Sequence, residues 1–362
     1  MHRVLVIGAG KIGSLIAALL SNTKDYHVFL GDIHIDAPHI QRLSIQNPTI
    51  HLTNVNAQNK EEIIDCIQKN TIQTIISSLP YYCNTLIAEI AKECEVNYFD
   101  LTEDTKTTEA VTELSRDATT AFVPQCGLAP GFISVVANDL MQHFPSLDTV
   151  KMRVGALPIN ISNALQYTLT WSTDGLINEY GNLCQGVEKG KEINLLPLDD
   201  LEEIKIDGLT YEAFNTSGGI GSLANTYMGR VKQLTYKTIR YPGHCAKMRF
   251  LMKDLNLNED RATLKRILES SIPKTGQDVV LVYVSVTGER DSIFIEENYV
   301  KKFYPKMING TSWSAIQLTT ASEICASVDL VVHQPDKFQG LVKHEQFSLA
   351  ELINNRFGQY YA

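Results

Sequence analysis

The 362-residue chain has no basic run, no C-x-x-C pair, no internal repeat and no low-complexity tract. Each absence removes a class of function. With 32 Lys and Arg against 41 Asp and Glu, the net charge is −9, which argues against nucleic acid or an anionic membrane surface as a partner. The seven cysteines, at 66, 83, 94, 126, 184, 245 and 325, are odd in number and scattered. They read as free thiols, with no disulfide framework and no metal site expected from their spacing. No apolar run reaches the roughly 18 to 20 residues of a membrane span, and the first strand begins at once, so neither a membrane segment nor a signal peptide is expected. The expected location is the cytoplasm. Hydrophobic residues make up 44%, enough for a core, and the length suggests two domains at about 150 residues each.

The most informative stretch is Val4-Leu5-Val6-Ile7-Gly8-Ala9-Gly10-Lys11-Ile12-Gly13. A buried parallel strand runs into G-x-G-x-x-G where a helix over 11–21 should begin. Gly8 suits a tight turn, Gly10 a close approach of backbone to pyrophosphate, and Gly13 close packing of helix on sheet. The helix N-terminus, with Lys11 and Ile12 in its first turn, then offers N–H groups and a dipole to phosphate. A second strand, 26–32, ends in Asp32, nineteen residues after Gly13, close to the spacing of the acid that binds the adenosine ribose. A carboxylate there repels a 2′-phosphate, so NAD is expected over NADP.

Alternating signals continue with strands at 50–55, 72–77, 97–100 and 121–123 and helices at 60–69, 84–94 (with Asn84 as its cap) and 106–118. Ser78, Leu79, Pro80, Tyr81 and Tyr82 follow the fourth strand, where ligands sit in an open parallel sheet. Asp100 ends the fifth strand, and Cys126 lies in a loop with two prolines and two glycines, 124–131. Beyond a helix at 132–143 the strands lengthen. Segments 150–154, 165–171, 233–241, 279–287 and 292–295 are rich in β-branched and aromatic residues, as in a mainly antiparallel sheet with one covered face. Helices are expected at 174–182, at 243–253, within 256–271, and at 313–331. The last of these should return to the first domain. The stretch 188–221 yields no reading. The expected architecture is α/β: a doubly wound parallel sheet of Rossmann type formed by 1–125 and roughly 312–340, a second α+β domain over 126–311, and a tail over 341–362 with a short helix at 348–355.

Gly8-Ala9-Gly10, Asp100-Leu101-Thr102, Cys126-Gly127-Leu128-Ala129-Pro130-Gly131, Thr170-Trp171-Ser172, Glu179-Tyr180, Arg240-Tyr241-Pro242-Gly243-His244 and Asn355-Arg356-Phe357-Gly358 together resemble the saccharopine dehydrogenase family over nearly the whole chain. The length resembles the lysine 6-dehydrogenase branch more than the longer saccharopine reductases. The resemblance implies a nicotinamide-dependent oxidation of a C–N bond in a lysine-type amine, followed by imine hydrolysis, with an amino acid as the small-molecule partner and a homo-oligomeric assembly. It implies that Tyr81 (or Tyr82), Asp100 and Cys126 match the family's tyrosine, aspartate and cysteine positions, as acid–base groups. For Cys126 a buried apolar thiol, and for Asp100 a turn acid bonded to backbone N–H groups, stand as the alternatives. Arg240 suits a substrate carboxylate through its planar fork. His244 is either a helix cap or an acid–base participant. Trp171 and Tyr180 either wall a pocket or belong to the core. A carboxyalkyl-polyamine dehydrogenase and a non-catalytic NAD-binding regulator remain open, because fold does not decide chemistry.

Overall fold

A computed structural model describes residues 1–362. The chain divides into two compact units, Met1–Phe132 with Gln317–Ala362, and Ile133–Ile316.

The first unit is built on a seven-stranded parallel sheet. Its strands are β1 (His2–Ile7), β2 (Tyr26–Asp32), β3 (Ile50–Asn54), β4 (Thr74–Ser77), β5 (Asn97–Asp100), β6 (Ala121–Val123) and, from the far end of the chain, β17 (Gly340–Leu341). The spatial order is β17-β6-β5-β4-β1-β2-β3, and every pairing is parallel. Central strands read as unbroken apolar runs because both faces are covered: Val4, Leu5, Val6, Ile75 and Ile76 are wholly buried. Helices α1 (Lys11–Ser21), α2 (Pro38–Gln46), α3 (Lys60–Asn70), α4 (Asn84–Glu93) and α5 (Thr105–Leu114) connect the strands. Helix α3 is capped by Asn59, whose side chain accepts the Glu62 N–H. Asn84 is no cap: it is the first residue of α4, and its Oδ1 accepts the Ser77 hydroxyl at 2.7 Å. The sequence reading passed over α2, which buries only Ile40 and Leu43 and so leaves a weak periodic signal.

The second unit begins with α6 (Ile133–Met141) and contains β7 (Ser146–Pro158), α7 (Thr173–Gly181), β8 (Cys184–Glu188), β9 (Lys191–Leu195), β10 (Glu202–Ile206), β11 (Leu209–Asn215), α8 (Leu223–Tyr227), β12 (Gln233–Arg240), α9 (His244–Arg249), α10 (Arg261–Ser271), β13 (Asp278–Arg290), β14 (Ile293–Phe303), and the short pair β15 (Lys306–Ile308) and β16 (Thr311–Trp313). Its main sheet runs β10-β11-β12-β7-β13-β14, with β8 and β9 joined to β12. The pairing of β12 with β7 is parallel and the others are antiparallel. The unread stretch 188–221 supplies two hairpins. Their two-residue turns, Lys189-Gly190 and Asp207-Gly208, hold both residues at positive φ, the conformation whose twist matches the flanking strands. The strand expected over 165–171 does not form. Asn163 closes a local turn instead, its Nδ2 donating to the Tyr167 carbonyl at 2.7 Å, while Gln166 adopts φ +55; this local bonding replaces a sheet ladder.

Helix α11 (Ala315–His333) begins in the second unit and supplies its later turns to the first. At 19 residues it is long and apolar enough to cross a membrane by length and composition, contrary to the expectation that no segment reaches that size. It is a core helix by its surroundings, since most of it is buried and it carries Glu323 and Asp329. Helix α12 (Leu349–Asn354) follows in the tail. There Arg356 donates to Asp329 at 2.7 Å, the same carboxylate oxygen that accepts the Tyr26 hydroxyl at 2.7 Å. The start of α11 is fixed by Asp278, wholly buried, whose two oxygens accept the Ala315 and Ile316 N–H groups at 2.6 and 3.0 Å. Two N–H groups of the helix's first turn are thereby satisfied. Replacing Asp278 with Ala should lower unfolding free energy by about 1–3 kcal/mol, and Asn by less. Urea denaturation checks this, and an unchanged midpoint for the Ala variant would remove the capping role.

Candidate active site

In the parallel sheet, β1 lies between β2 and β4, so the strand order reverses there and the C-terminal ends of β1 and β4 flank a crevice suited to ligands. Gly8 sits at φ +99, and a Cβ on it would fall 2.6 Å from the Ser78 carbonyl oxygen. A Cβ on Gly13 would fall 1.9 Å from the Gly8 carbonyl oxygen, so Gly13 is required for the turn and helix to meet. Around Gly10 the situation is the opposite: nothing lies within 4 Å of the position a Cβ would take. Gly10 is the N-cap of α1, with no side-chain cap and no acid in the first turn. Open space and an uncapped helix N-terminus together make a phosphate cradle.

Asp32 ends β2 and turns its carboxylate towards this loop. One oxygen accepts the Ala9 N–H at 2.8 Å, and the other accepts the His34 N–H at 2.8 Å. A carboxylate has about four acceptor positions, so two remain for ribose hydroxyls. His39 of α2 holds the other side of the same peptide region through Nε2 and the Ala9 carbonyl, 3.2 Å apart. Lys11 and Ile12 open α1, while Ser78, Leu79 and Pro80 lead from β4 to a short turn containing Tyr81. Tyr81 is half-buried, and Tyr82 is 64% exposed, with their rings edge-on at 5.7 Å.

Asp100 and Cys126 are both buried, in the geometry of the alternatives named for them from the sequence. Asp100 is wholly buried. It accepts from the Tyr98 hydroxyl at 2.7 Å and from the Thr102 and Gln125 N–H groups at 2.8 and 3.0 Å, while its carbonyl accepts the Cys126 N–H at 2.8 Å. Burial pushes its carboxyl above the ordinary value against those hydrogen bonds. The geometry is that of a turn acid which fixes the 124–131 loop. Cys126 is also buried, its thiol donating to the Val123 carbonyl at 3.3 Å. Burial, with the charges of Glu323 and Asp100, pushes that thiol well up, opposite to an activated cysteine.

In the second unit Arg240 ends β12, with 3% exposure. Its Nε donates to the Tyr180 hydroxyl at 2.7 Å and its Nη1 to the Ile239 carbonyl at 2.9 Å. Nη2 stands 3.9 Å from Glu179 Oε2, too far for a hydrogen bond. The guanidinium also lies over the Tyr167 ring, 5.0 Å from its centre, and the Trp171 indole N–H donates to the Tyr167 hydroxyl at 3.2 Å. His244 is no side-chain cap. It is the first residue of α9, and its ring is wholly buried, with Nδ1 2.9 Å from the Leu165 carbonyl and Nε2 3.0 Å from the Tyr180 hydroxyl. Burial, reinforced by Arg240, lowers its pKa to about 3, so the ring is neutral near pH 7. The Leu165 carbonyl can only accept, so the proton sits on Nδ1. Nε2 therefore accepts from Tyr180, whose oxygen in turn accepts from Arg240. Every proton in this chain has one direction. The turn before α9 is held by Glu212, which the sequence reading missed; its oxygens accept the Gly243 and Cys245 N–H groups.

Comparison with known proteins accounts for both units. A model of the Saccharopine dehydrogenase NADP binding domain matches residues 4–123, and one of the Saccharopine dehydrogenase C-terminal domain matches residues 127–358. The chain belongs to the saccharopine dehydrogenase family. Among solved structures it resembles an apo histidine-tagged saccharopine dehydrogenase (L-Glu forming) from Saccharomyces cerevisiae, with a TM-score of 0.77, 14% identity and coverage of 100% of this chain and 98% of that one. It also resembles a DAP dehydrogenase from C. glutamicum in complex with DAP, at TM-score 0.50, 9% identity, and 99% and 98% coverage. At these identities both likenesses speak for fold. This member of the saccharopine dehydrogenase family therefore has the nicotinamide dinucleotide-binding fold of an oxidoreductase, and its glycine loop and Asp32 fit the adenosine and pyrophosphate parts of such a cofactor.

The glycines separate binding from folding. Gly10→Ala should change stability by less than about 0.5 kcal/mol, since the residue has φ −70 and ψ −168 and space around it. Its methyl would crowd the pyrophosphate at a cost of about 1–3 kcal/mol, or about five- to 150-fold in the dissociation constant of NADH. Gly13→Ala should instead destabilise the apoprotein. Fluorescence titration and urea melts of both variants check this, and wild-type cofactor affinity in Gly10→Ala would refute the cradle.

Proposed function

We propose that the chain is an NAD-preferring dehydrogenase that oxidises the C–N bond of a lysine-type amino acid, with lysine ahead of saccharopine as substrate. The observation that carries this reading is Arg240: a desolvated guanidinium at a strand end whose Nη2 has only a 3.9 Å contact to Glu179. A substrate carboxylate would complete its planar fork. Lysine has one carboxylate and saccharopine three, so the number of available cations discriminates between them. Two other arginines of the second unit are already committed, Arg153 to Glu202 at 2.6 Å and Arg249 to Asp199 at 2.7 Å. One guanidinium with its Nη2 edge outside hydrogen-bond distance of Glu179 suits one carboxylate.

The cofactor, once bound, accepts the hydride. The chain must supply the rest. The neutral amine loses hydride from its carbon to give an iminium ion; water adds to that carbon, and the C–N bond breaks to give an aldehyde and ammonium from lysine, or an aldehyde and glutamate from saccharopine. The amine must enter deprotonated, which needs a proton acceptor with access to it. Solvent water is the acceptor in the proposal, and of Tyr81, Asp100 and Cys126 it is Tyr81, on a partly exposed turn, whose hydroxyl passes the proton to it. Asp100 acts as a positioning residue for the loop. Tyr180 and His244 fix the orientation of Arg240, and Trp171 with Tyr167 forms an aromatic wall beside it. The matched domain description names NADP, whereas Asp32 favours NAD by repulsion of a 2′-phosphate.

The test is reduction of NAD and NADP with lysine, saccharopine and carboxyalkyl polyamines. Lysine should be turned over, and Arg240→Lys, which keeps the charge but loses the fork, should raise its KM at least about tenfold. Arg240→Ala should raise it by about two to three decades, as expected for breaking a buried carboxylate–guanidinium pair. Turnover of a polyamine alone, or of none of the amines, would overturn the reading.

A further inference from the structure

Three side chains far apart in sequence meet in the first unit. Cys126 follows β6, Glu323 lies within α11, and His344 follows β17. One ligand atom from each, a sulfur, a carboxylate oxygen and an imidazole nitrogen, lie within 4.8 Å of one another. Glu323 Oε1 and His344 Nε2 lie 3.1 Å apart. The three are buried to 1%, 0% and 4% exposure in chain order. Glu323 Oε1 accepts the Ser327 hydroxyl at 2.8 Å. Its Oε2, and His344 Nε2, have no hydrogen-bond partner.

A buried carboxylate with one hydroxyl partner and a neighbouring imidazole nitrogen without a hydrogen bond is an incomplete polar cluster. Such groups are retained in interiors when they are paired or coordinate a metal. The donor types point the same way. Thiolate, imidazole and carboxylate are the ligands of zinc-class ions, while calcium and magnesium take oxygen shells. One thiolate and one carboxylate also balance a divalent charge. We propose that Cys126, Glu323 and His344 bind a divalent transition-metal ion of the zinc class, which ties the loop after β6, the middle of α11 and the segment after β17 to one another.

The site is structural in this proposal, and it does not depend on the substrate assignment. Binding requires the Cys126 proton to leave for solvent and its hydrogen bond to the Val123 carbonyl to break. Affinity should therefore rise with pH. Gly131 keeps the carboxylate side clear, since a Cβ there would approach the Glu323 carboxyl carbon to 3.4 Å and the Gln125 carbonyl to 3.3 Å. The spacing of cysteines in the sequence did not announce such a site, because its ligands come one each from three distant segments and only one of them is a cysteine.

The test uses the full chain. Elemental analysis after gel filtration should find about one equivalent of zinc-class metal per chain, and the metal-stripped protein should bind Co²⁺ with a thiolate-to-metal charge-transfer absorption and gain thermal stability with Zn²⁺. Cys126→Ser should abolish the charge-transfer band. His344→Gln and the near-isosteric Glu323→Gln should each weaken Zn²⁺ binding at least about tenfold, with circular dichroism reporting whether each variant folds. If a variant fails to fold, the wild-type Co²⁺ spectrum still decides the proposal. Absence of metal together with no Co²⁺ band and no stabilisation by Zn²⁺ would overturn it, leaving a bare hydrogen-bonded cluster. Full metal content retained by all three variants would also overturn it.

Discussion

The hydrogen bond from the Ala9 N–H to the Asp32 carboxylate, 2.8 Å long, is the contact on which the cofactor half depends. It joins the end of β2 to the glycine loop between β1 and α1, so the residue that would recognise the ribose also shapes the loop that would receive the pyrophosphate. Gly8 and Gly13 can approach Ser78 and each other only because neither has a Cβ. The parallel order of β4, β1 and β2 then sets the two loops side by side. A charge change at Asp32 is thus a change in recognition and in loop geometry at once, and separating them needs a substitution that keeps the acceptor.

In the second unit a buried cation is oriented mainly by neutral partners, with the Glu179 carboxylate 3.9 Å from its Nη2. Arg240 is stripped of water, stacked over Tyr167 and bonded to Tyr180. His244 is kept neutral by burial and the same cation. Because His244 must donate to the Leu165 carbonyl, Tyr180 must donate to His244 and accept from Arg240, so the guanidinium has a fixed orientation. Fixing it beforehand would lower the ordering cost of binding the proposed carboxylate.

Much of the parallel sheet was legible because central strands and glycines obey short-range rules. Strands 26–32, 97–100 and 121–123 fall at the boundaries their apolar runs predict. The turns at Lys189-Gly190 and Asp207-Gly208 carry a legible signal, yet their polar, half-exposed strands hid it. Segment 165–171 misled in the other direction: its β-branched and aromatic residues are apolar for a core role, and the bond from the Asn163 side chain to the Tyr167 carbonyl overrides their strand preference. At the site, Asp32 and the glycines followed from spacing. The burial of Asp100 and Cys126 did not, since it depends on what packs over strand ends. Glu323 and His344 were beyond reach, because they meet Cys126 only when the distant α11 and the segment after β17 fold onto this unit.

The proposal that Asp32 chooses NAD over NADP is tested most directly by paired titrations with NADH and NADPH. Asp32→Asn is the informative variant, since its amide oxygen can still accept the Ala9 N–H while the charge is gone and only the bond from the His34 N–H is given up. Wild-type protein should bind NADH at least about tenfold more tightly than NADPH, a conservative share of the repulsion expected between charges about 4 Å apart, and the ratio should collapse in Asp32→Asn. Equal binding by the wild type, or a preference for NADPH that the variant leaves unchanged, would contradict the account.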